Sequence, residues 1–171
     1  MPTQNSTQTY EMLKTYLDET ADSFEKLTEE EIRTALGDAY GDVGTALSYA
    51  LSKVGYPYSQ ELRDSGDYYD CSSLVYYAWK AAGVDISFGG SYSAAAQAQG
   101  LEQAGKSVPL EELQPGDLIY FSYVHNGRYK NISHVAIYAG NGMIIEAANE
   151  STGVVYRKLH SRGSIVTVCR P

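Results

Sequence analysis

Two cysteines occur in the sequence, and the residues around Cys71 are those that could do chemistry. Cys71 follows Asp70 and opens a run of good helix formers, through Leu74, Val75, Ala78 and Trp79 to Ala82, which Gly83 ends. Asp70 is a natural N-cap, so the sulfur falls in the first turn of the predicted helix. Partly positive backbone N–H groups there favour a thiolate, the form that attacks carbonyl carbon. The small Ser72 and Ser73 leave room for a substrate to approach the sulfur. Position alone is equally compatible with a small buried core cysteine.

A thiolate nucleophile needs a base, and the chain offers His125, His134 and His160. His134 is the best placed. It begins the apolar run Val135-Ala136-Ile137-Tyr138, and the turn Gly140-Asn141-Gly142 returns the chain as Met143-Ile144-Ile145-Glu146-Ala147, which predicts a hairpin. If Ala139 pairs with Met143, even-numbered side chains of both strands share a face, and Glu146 lies diagonal to His134. A carboxylate there would fix the imidazole tautomer and stabilise its protonated form. A slip of one residue would separate the two, and a surface ion pair is the alternative reading. Asn149, just beyond the strand, is the next candidate to orient the base. His125 and His160 lie in polar stretches and are expected to be solvated. Three scattered histidines without ligand-like spacing predict no metal site.

The elements that must position these residues follow from periodicity. Apolar residues recur at Tyr10, Leu13, Leu17, Ala21, Phe24 and Leu27 with helical spacing. Thr28 with Glu31 is a capping-box signal for a second helix, about 29–38. A third helix, capped by Asp42, runs to about Val54, and a short one covers Ser93 to about Gln99. From Gln114 onward the texture changes: strands are predicted at 117–121, 133–139, 143–147, 154–158 and 165–169. Helices first and an antiparallel sheet second is the α+β pattern. Residues 1–42 read as a helical N-terminal extension, either a solvated linker or a functional element, and 43–171 as the domain.

Length and composition narrow the classes. The 171 residues suit one domain, and no apolar run reaches the roughly 18 residues of a membrane span. Acidic residues outnumber basic ones 21 to 13, with no Lys/Arg cluster, so nucleic acid is not an expected partner. Sixteen tyrosines suit wet grooves that bind sugars or peptides. No secretion signal is visible at Met1-Pro2-Thr3-Gln4-Asn5-Ser6. Cys71 and Cys169 are too few for a disulfide framework, and their contexts differ, so no disulfide is expected.

Three segments together resemble one family. Asp70-Cys71-Ser72-Ser73-Leu74-Val75 with Trp79 looks like the nucleophile helix of the NlpC-type (NlpC and p-sixty) bacterial cell-wall cysteine peptidases. Pro115-Gly116-Asp117-Leu118 with Phe121 resembles that family's first core strand. His134-Val135-Ala136-Ile137-Tyr138-Ala139-Gly140-Asn141-Gly142 resembles its histidine strand and turn. The resemblance spans about residues 43–171. It implies a papain-like core, a secreted or wall-associated monomer without cofactor, and cleavage in the peptidoglycan stem peptide between D-glutamate and the next diamino acid. An amidase cutting between muramic acid and L-alanine, a phage-type lysin, and a silent wall-binding module are the alternatives.

Carried over by position, the resemblance puts the nucleophile at Cys71, the base at His134 and the third polar group at Glu146. Tyr58 matches a tyrosine that lines the site and helps hold the oxyanion, and Asp70 and Ser72 match positions that hold a stem-peptide amine. The sequence departs from the family pattern in three places. Glu146 stands where histidine is commoner, Ser73 where glycine is usual, and Ser59-Gln60-Glu61 replaces Trp-Gly-Gly.

Overall fold

Five short runs rich in Val, Ile, Tyr and Phe form one antiparallel sheet in the computed structural model, which describes residues 24–171. The strands are β1 (Leu118–Phe121), β2 (His134–Gly140), β3 (Met143–Asn149), β4 (Gly153–Lys158) and β5 (Ile165–Cys169), in spatial order β4-β3-β2-β1-β5. β2, which starts at His134, is therefore central, with β3 beside it. Four α-helices precede the sheet among the described residues: α1 (Glu29–Leu36), α2 (Gly41–Ser52), α3 (Cys71–Ala81) and α4 (Ala94–Gln103).

The sheet buries both faces. Odd-numbered side chains of β2 and β3, such as Val135, Ile137 and Ile145, meet Leu47 and Leu51 of α2 and Leu74, Val75 and Ala78 of α3 in the main core. Each fully buried Leu or Ile contributes about 1.5–3 kcal/mol, so this layer carries most of the stability. The other face holds a smaller cluster, Ile119, Phe121, Ala136 and Ile144, closed over by Leu113, Tyr138, Leu159 and Ile165. Antiparallel sheets often leave one face to water. Here side chains from the loops and from the strands themselves cover it, so polar groups on that face are shielded as well.

The predicted elements fall close to the observed ones, with three corrections. The helix expected to end at Leu27 lies mostly outside the described residues, and its described end, 24–28, is irregular up to the Thr28 cap. Leu27 is still buried, packing into the main core without helical structure. Asp42 does not cap α2: the N-cap is Tyr40, with no side-chain bond, and Asp42 sits in the first turn. Third, Met143 pairs with Gly140 rather than Ala139. A register shift between Tyr138 and Gly140 takes up the extra residue, so that Tyr138 faces Ile144 and Ile137 faces Ile145. From Tyr138 inward the register is the expected one, and side-chain parity is kept. Among the described residues, no helix is long and apolar enough to cross a membrane.

Candidate active site

Cys71 is the first residue of α3, and a reciprocal cap fixes that helix end. Ser73 N–H donates to Asp70 Oδ1 at 2.9 Å, and Asp70 N–H donates to Ser73 Oγ at 3.0 Å. The usual Glu or Gln of a capping box is replaced by a serine short enough to be buried with Asp70. Cys71 itself is partly exposed and is a free thiol. The α3 axis is pinned to the sheet by Trp79, whose indole N–H donates to Gly116 O at 3.2 Å.

His134 lies at the start of the central strand, paired with Phe121 of β1. Its Nε2 is 2.6 Å from Glu146 Oε1, and the Cys71 thiol is near enough to the ring to favour its charged form. With Nε2 engaged by the carboxylate, Nδ1 is the nitrogen that can exchange a proton with the sulfur. Burial opposes charge on the imidazole, but the neighbouring Cys71 and Glu146 outweigh it, and His134 is raised to about 9. Glu146 is 1% exposed. Burial pushes its pKa up, yet the hydrogen bonds from His134 and His160 more than compensate and hold it well below the usual carboxylate range. The group beside the imidazole is therefore an anion at any working pH.

The second oxygen of Glu146 is equally occupied. Arg157 Nε donates to Oε2 at 2.7 Å, and His160 Nε2 lies 2.6 Å from the same atom. His160 is thus not the solvated loop residue expected from its polar surroundings. Its ring also stacks on Phe121, with centroids 6.1 Å apart. His125 is exposed. Asn149 does not reach the base: its Oδ1 accepts from Ser151 N–H and Thr152 N–H and shapes the turn before β4. Arg157 was detectable in principle, since it follows Val155, which faces Glu146 across β3 and β4, by one strand period. His160 lies past the strand end, where no period applies.

Tyr58 reaches the site through backbone pairing. Ser59 N–H donates to Tyr69 O at 3.2 Å and Tyr69 N–H to Pro57 O at 3.2 Å, which lays residues 57–59 alongside Tyr69, two residues before Cys71. Burial, then the neighbouring Cys71 and Asp70, push the Tyr58 hydroxyl up to about 12, so it stays a proton donor. The other end of this segment docks on β4, with Gly55 N–H donating to Val154 O and Val154 N–H to Tyr56 O, both at 2.9 Å. Gly153 allows that approach: its φ is +71°, and a Cβ there would lie 2.4 Å from Tyr56 O. Gly153→Ala is expected to strain this junction by about 1–3 kcal/mol. Calorimetry should show a melting temperature lower by several degrees.

Asp70 and Ser72 are drawn into the helix cap. Ser72 is buried, with Oγ 3.5 Å from Asp70 Oδ1, while Asp70 Oδ2 accepts from Arg63 Nη1 at 3.0 Å. The Arg63 guanidinium also lies over the ring of Tyr92, 4.6 Å from its centroid, and Tyr92 stacks on Tyr76 at 4.3 Å. Tyr92 and Tyr76 thus stack beside the Arg63 that holds Asp70. Gln97, which had no sequence signal, braces α3 from α4: its amide donates to Ser72 O at 3.0 Å and to Tyr92 O at 2.7 Å, and it accepts from Tyr120 OH at 3.0 Å.

A thiol at a helix N-terminus, an imidazole with a raised pKa and a buried carboxylate behind it form a chain suited to acyl transfer. Comparisons with known proteins agree. Residues 55–170 match the sequence profile described as the NlpC/P60 family. Probable endopeptidase Rv2190c of Mycobacterium tuberculosis is 32% identical over 127 residues, covering 74% of this chain and 29% of that protein. Peptidoglycan DL-endopeptidase CwlO of Bacillus licheniformis is 38% identical over 86 residues, 50% of this chain and 16% of that protein. The solved structure of the peptidoglycan hydrolase RipB from Mycobacterium tuberculosis superposes with a TM-score of 0.58 at 28% identity, covering 84% of this chain and 68% of that one. The α+β arrangement is thus the papain-like one of these structures. The chain spans less than a third of the length of the curated relatives it matches.

Proposed function

The chain belongs to the NlpC/P60 family, and from that premise we propose that it is a cysteine endopeptidase that hydrolyses peptidoglycan stem peptides between D-glutamate and the following diamino acid. The observation that carries the reading is the grouping of Cys71 at the start of α3 with His134 and Glu146, the last two bonded at 2.6 Å. The relative named a DL-endopeptidase supports the choice of bond.

In this mechanism His134 Nδ1 holds the proton of Cys71, and the thiolate Sγ attacks the scissile carbonyl carbon. The Cys71 backbone N–H and the Tyr58 hydroxyl donate to the oxyanion. Collapse of the tetrahedral species breaks the C–N bond, and His134 gives its proton to the departing amine. A thioester remains on Cys71. Water then loses a proton to His134 and attacks the thioester, and the released thiolate and imidazolium restore the resting pair. Glu146 keeps the imidazole aligned throughout. A stem-peptide amine held by Asp70 and Ser72 would share Asp70 with Arg63, so these two residues serve first as the helix cap in this reading.

On this reading the enzyme works outside the membrane, secreted or associated with the wall, and acts as a monomer. With a formal charge of -8 the chain has no electrostatic attraction to an anionic wall, so recognition is expected from groove contacts or from a separate anchoring domain. Digestion of purified peptidoglycan followed by mass spectrometry tests the reading. Fragments ending in D-glutamate are expected. Stem peptides released whole, with a free L-alanine amine, would make it an amidase, and an undigested wall would leave a binding module.

The functional boundary near residue 42 gives a separate expectation. A chain begun at Gly41 loses Leu27, which is 6% exposed, together with the packing of Ile32, Ala35 and Leu36. Burial of Leu27 alone is worth about 1.5–3 kcal/mol. The truncated protein should melt several degrees lower in calorimetry yet still cut peptidoglycan below its melting point.

A further inference from the structure

The carboxylate that orients His134 is itself held from its far side. An ionised carboxylate only accepts, so His134 and His160 both donate through Nε2, one to each oxygen, at 2.6 Å each. The terminal torsion of a glutamate is broad, and nothing in the side chain itself fixes the plane of the carboxylate. Arg157 on β4 and His160 beyond it converge on Oε2 from different elements, and together they fix that plane.

His160 is in turn fixed by Ser161. Its Nδ1 lies 2.9 Å from Ser161 Oγ, and a hydroxyl can donate or accept, so the bond survives in either charge state of the ring. Ser161 has φ 56° and ψ 38°, a left-handed conformation in a residue that is not glycine, and strain of this kind gathers at functional sites. Its hydroxyl also lies near Tyr123. The Tyr123 ring lies 5.9 Å from that of His134 and 5.6 Å from that of Phe121, the ring on which His160 stacks. The groups facing Glu146 and His160 are thus Arg157 from β4, His134 from β2 and Tyr123 from the loop after β1, with Cys71 of α3 beyond His134.

We propose that His160, oriented by Ser161, is a positioning residue of the catalytic centre: by holding Oε2 of Glu146 it aims Oε1 at His134 and so aims the opposite ring nitrogen at Cys71. The proposal rests on the reading of Cys71, His134 and Glu146 as the reacting series. It does not depend on which bond is cut.

The test is the rate of Cys71 alkylation by iodoacetamide between pH 5 and 9, which reports the thiolate–imidazolium pair without any substrate. His160→Phe keeps a ring against Phe121 and removes the donor; His160→Gln restores an N–H near the position of Nε2. The Phe variant should lose about tenfold in alkylation rate at pH 6, the lower end of what metal-binding histidines lose when the group that orients them is removed. The Gln variant should recover most of it. Ser161→Gly, which relieves the left-handed strain and so keeps the fold, should lose part of it. On peptidoglycan the loss should fall on kcat with KM unchanged. An unchanged alkylation profile in His160→Phe, an equal loss in the Gln variant, or an effect confined to KM would overturn the proposal. If the Phe variant unfolds, the Gln and Ser161→Gly profiles decide alone. Wild-type protein that alkylates as described but leaves the wall intact would overturn the proposed function, not this inference.

Discussion

Cys71→Ala is expected to abolish wall hydrolysis while leaving the protein folded. The side chain is partly exposed at the first turn of α3 and makes no core contact that alanine cannot replace, so its loss should change stability by no more than about 1 kcal/mol. Its loss from the reaction is complete, because no other thiol can substitute. Cys169 is buried at the end of β5, and burial first, then the charge of Glu102, push it up to about 12, which leaves it inert at neutral pH. Turnover should fall by at least about 10⁴-fold, the scale seen when a nucleophile is removed from a catalytic unit. Iodoacetamide should label Cys71 in the native protein, and Cys169 only after unfolding. Faster labelling of Cys169, or normal hydrolysis by the alanine variant, would remove Cys71 from the role. His134→Ala should be nearly as damaging, whereas His125→Ala, on an exposed loop, should leave the rate unchanged.

Glu146 carries the second large effect, through both rate and stability. Glu146→Ala leaves His134, Arg157 and His160 pointing at an empty buried space, and removing one partner of such a set costs about 3–5 kcal/mol. Glu146→Gln is nearly isosteric but not neutral. Its amide presents one N–H₂ group, and either orientation turns that donor towards another donor, His134 on one side or Arg157 and His160 on the other. Both variants should cut more slowly, alanine more so. The wild-type rate should fall on the alkaline side as His134 loses its proton near 9, and without the carboxylate that limb should move down towards the ordinary histidine value of 6.5. The linked stability has the same sign. His134, raised on folding, contributes fully below about 6.5 and loses that contribution as pH rises through about 9. Glu146, lowered on folding, contributes above its ordinary 4.5 and loses its contribution only as pH falls well below that. Melting temperatures should therefore decline between 6.5 and 9 in the wild type, and this decline should flatten in Glu146→Gln. Unchanged pH profiles for rate and melting would make Glu146 a bystander.

Much of this was written locally in the sequence. Asp70 before Cys71 announced the capped helix, and parity along two strands around Gly140-Asn141-Gly142 placed Glu146 by His134 even though the last pair slipped to Gly140 and Met143. A hairpin absorbs such a slip in a bulge because a whole buried face depends on the inner register. What was not legible depends on groups distant in sequence or outside any period. The contact of His160 with Glu146 needs a left-handed Ser161, which no residue preference announces. The closing of the second sheet face by Leu113, Leu159 and Ile165 is a tertiary outcome. The place of Tyr58 depends on Gly153, nearly a hundred residues away, letting Tyr56 approach.

That docking has a colloidal consequence. β4 is an outer strand of the sheet, and an outer strand offers unpaired backbone groups on which another chain can template. The N–H and C=O of Val154 that face outward are taken by Tyr56 and Gly55 of the same chain, each at 2.9 Å. The segment that carries Tyr58 to the thiol is thus also an edge guard against intermolecular strand pairing. A lesion at this junction, such as Gly153→Ala, should first show itself as turbidity at high protein concentration, since self-association grows with concentration whereas misplacement of Tyr58 does not.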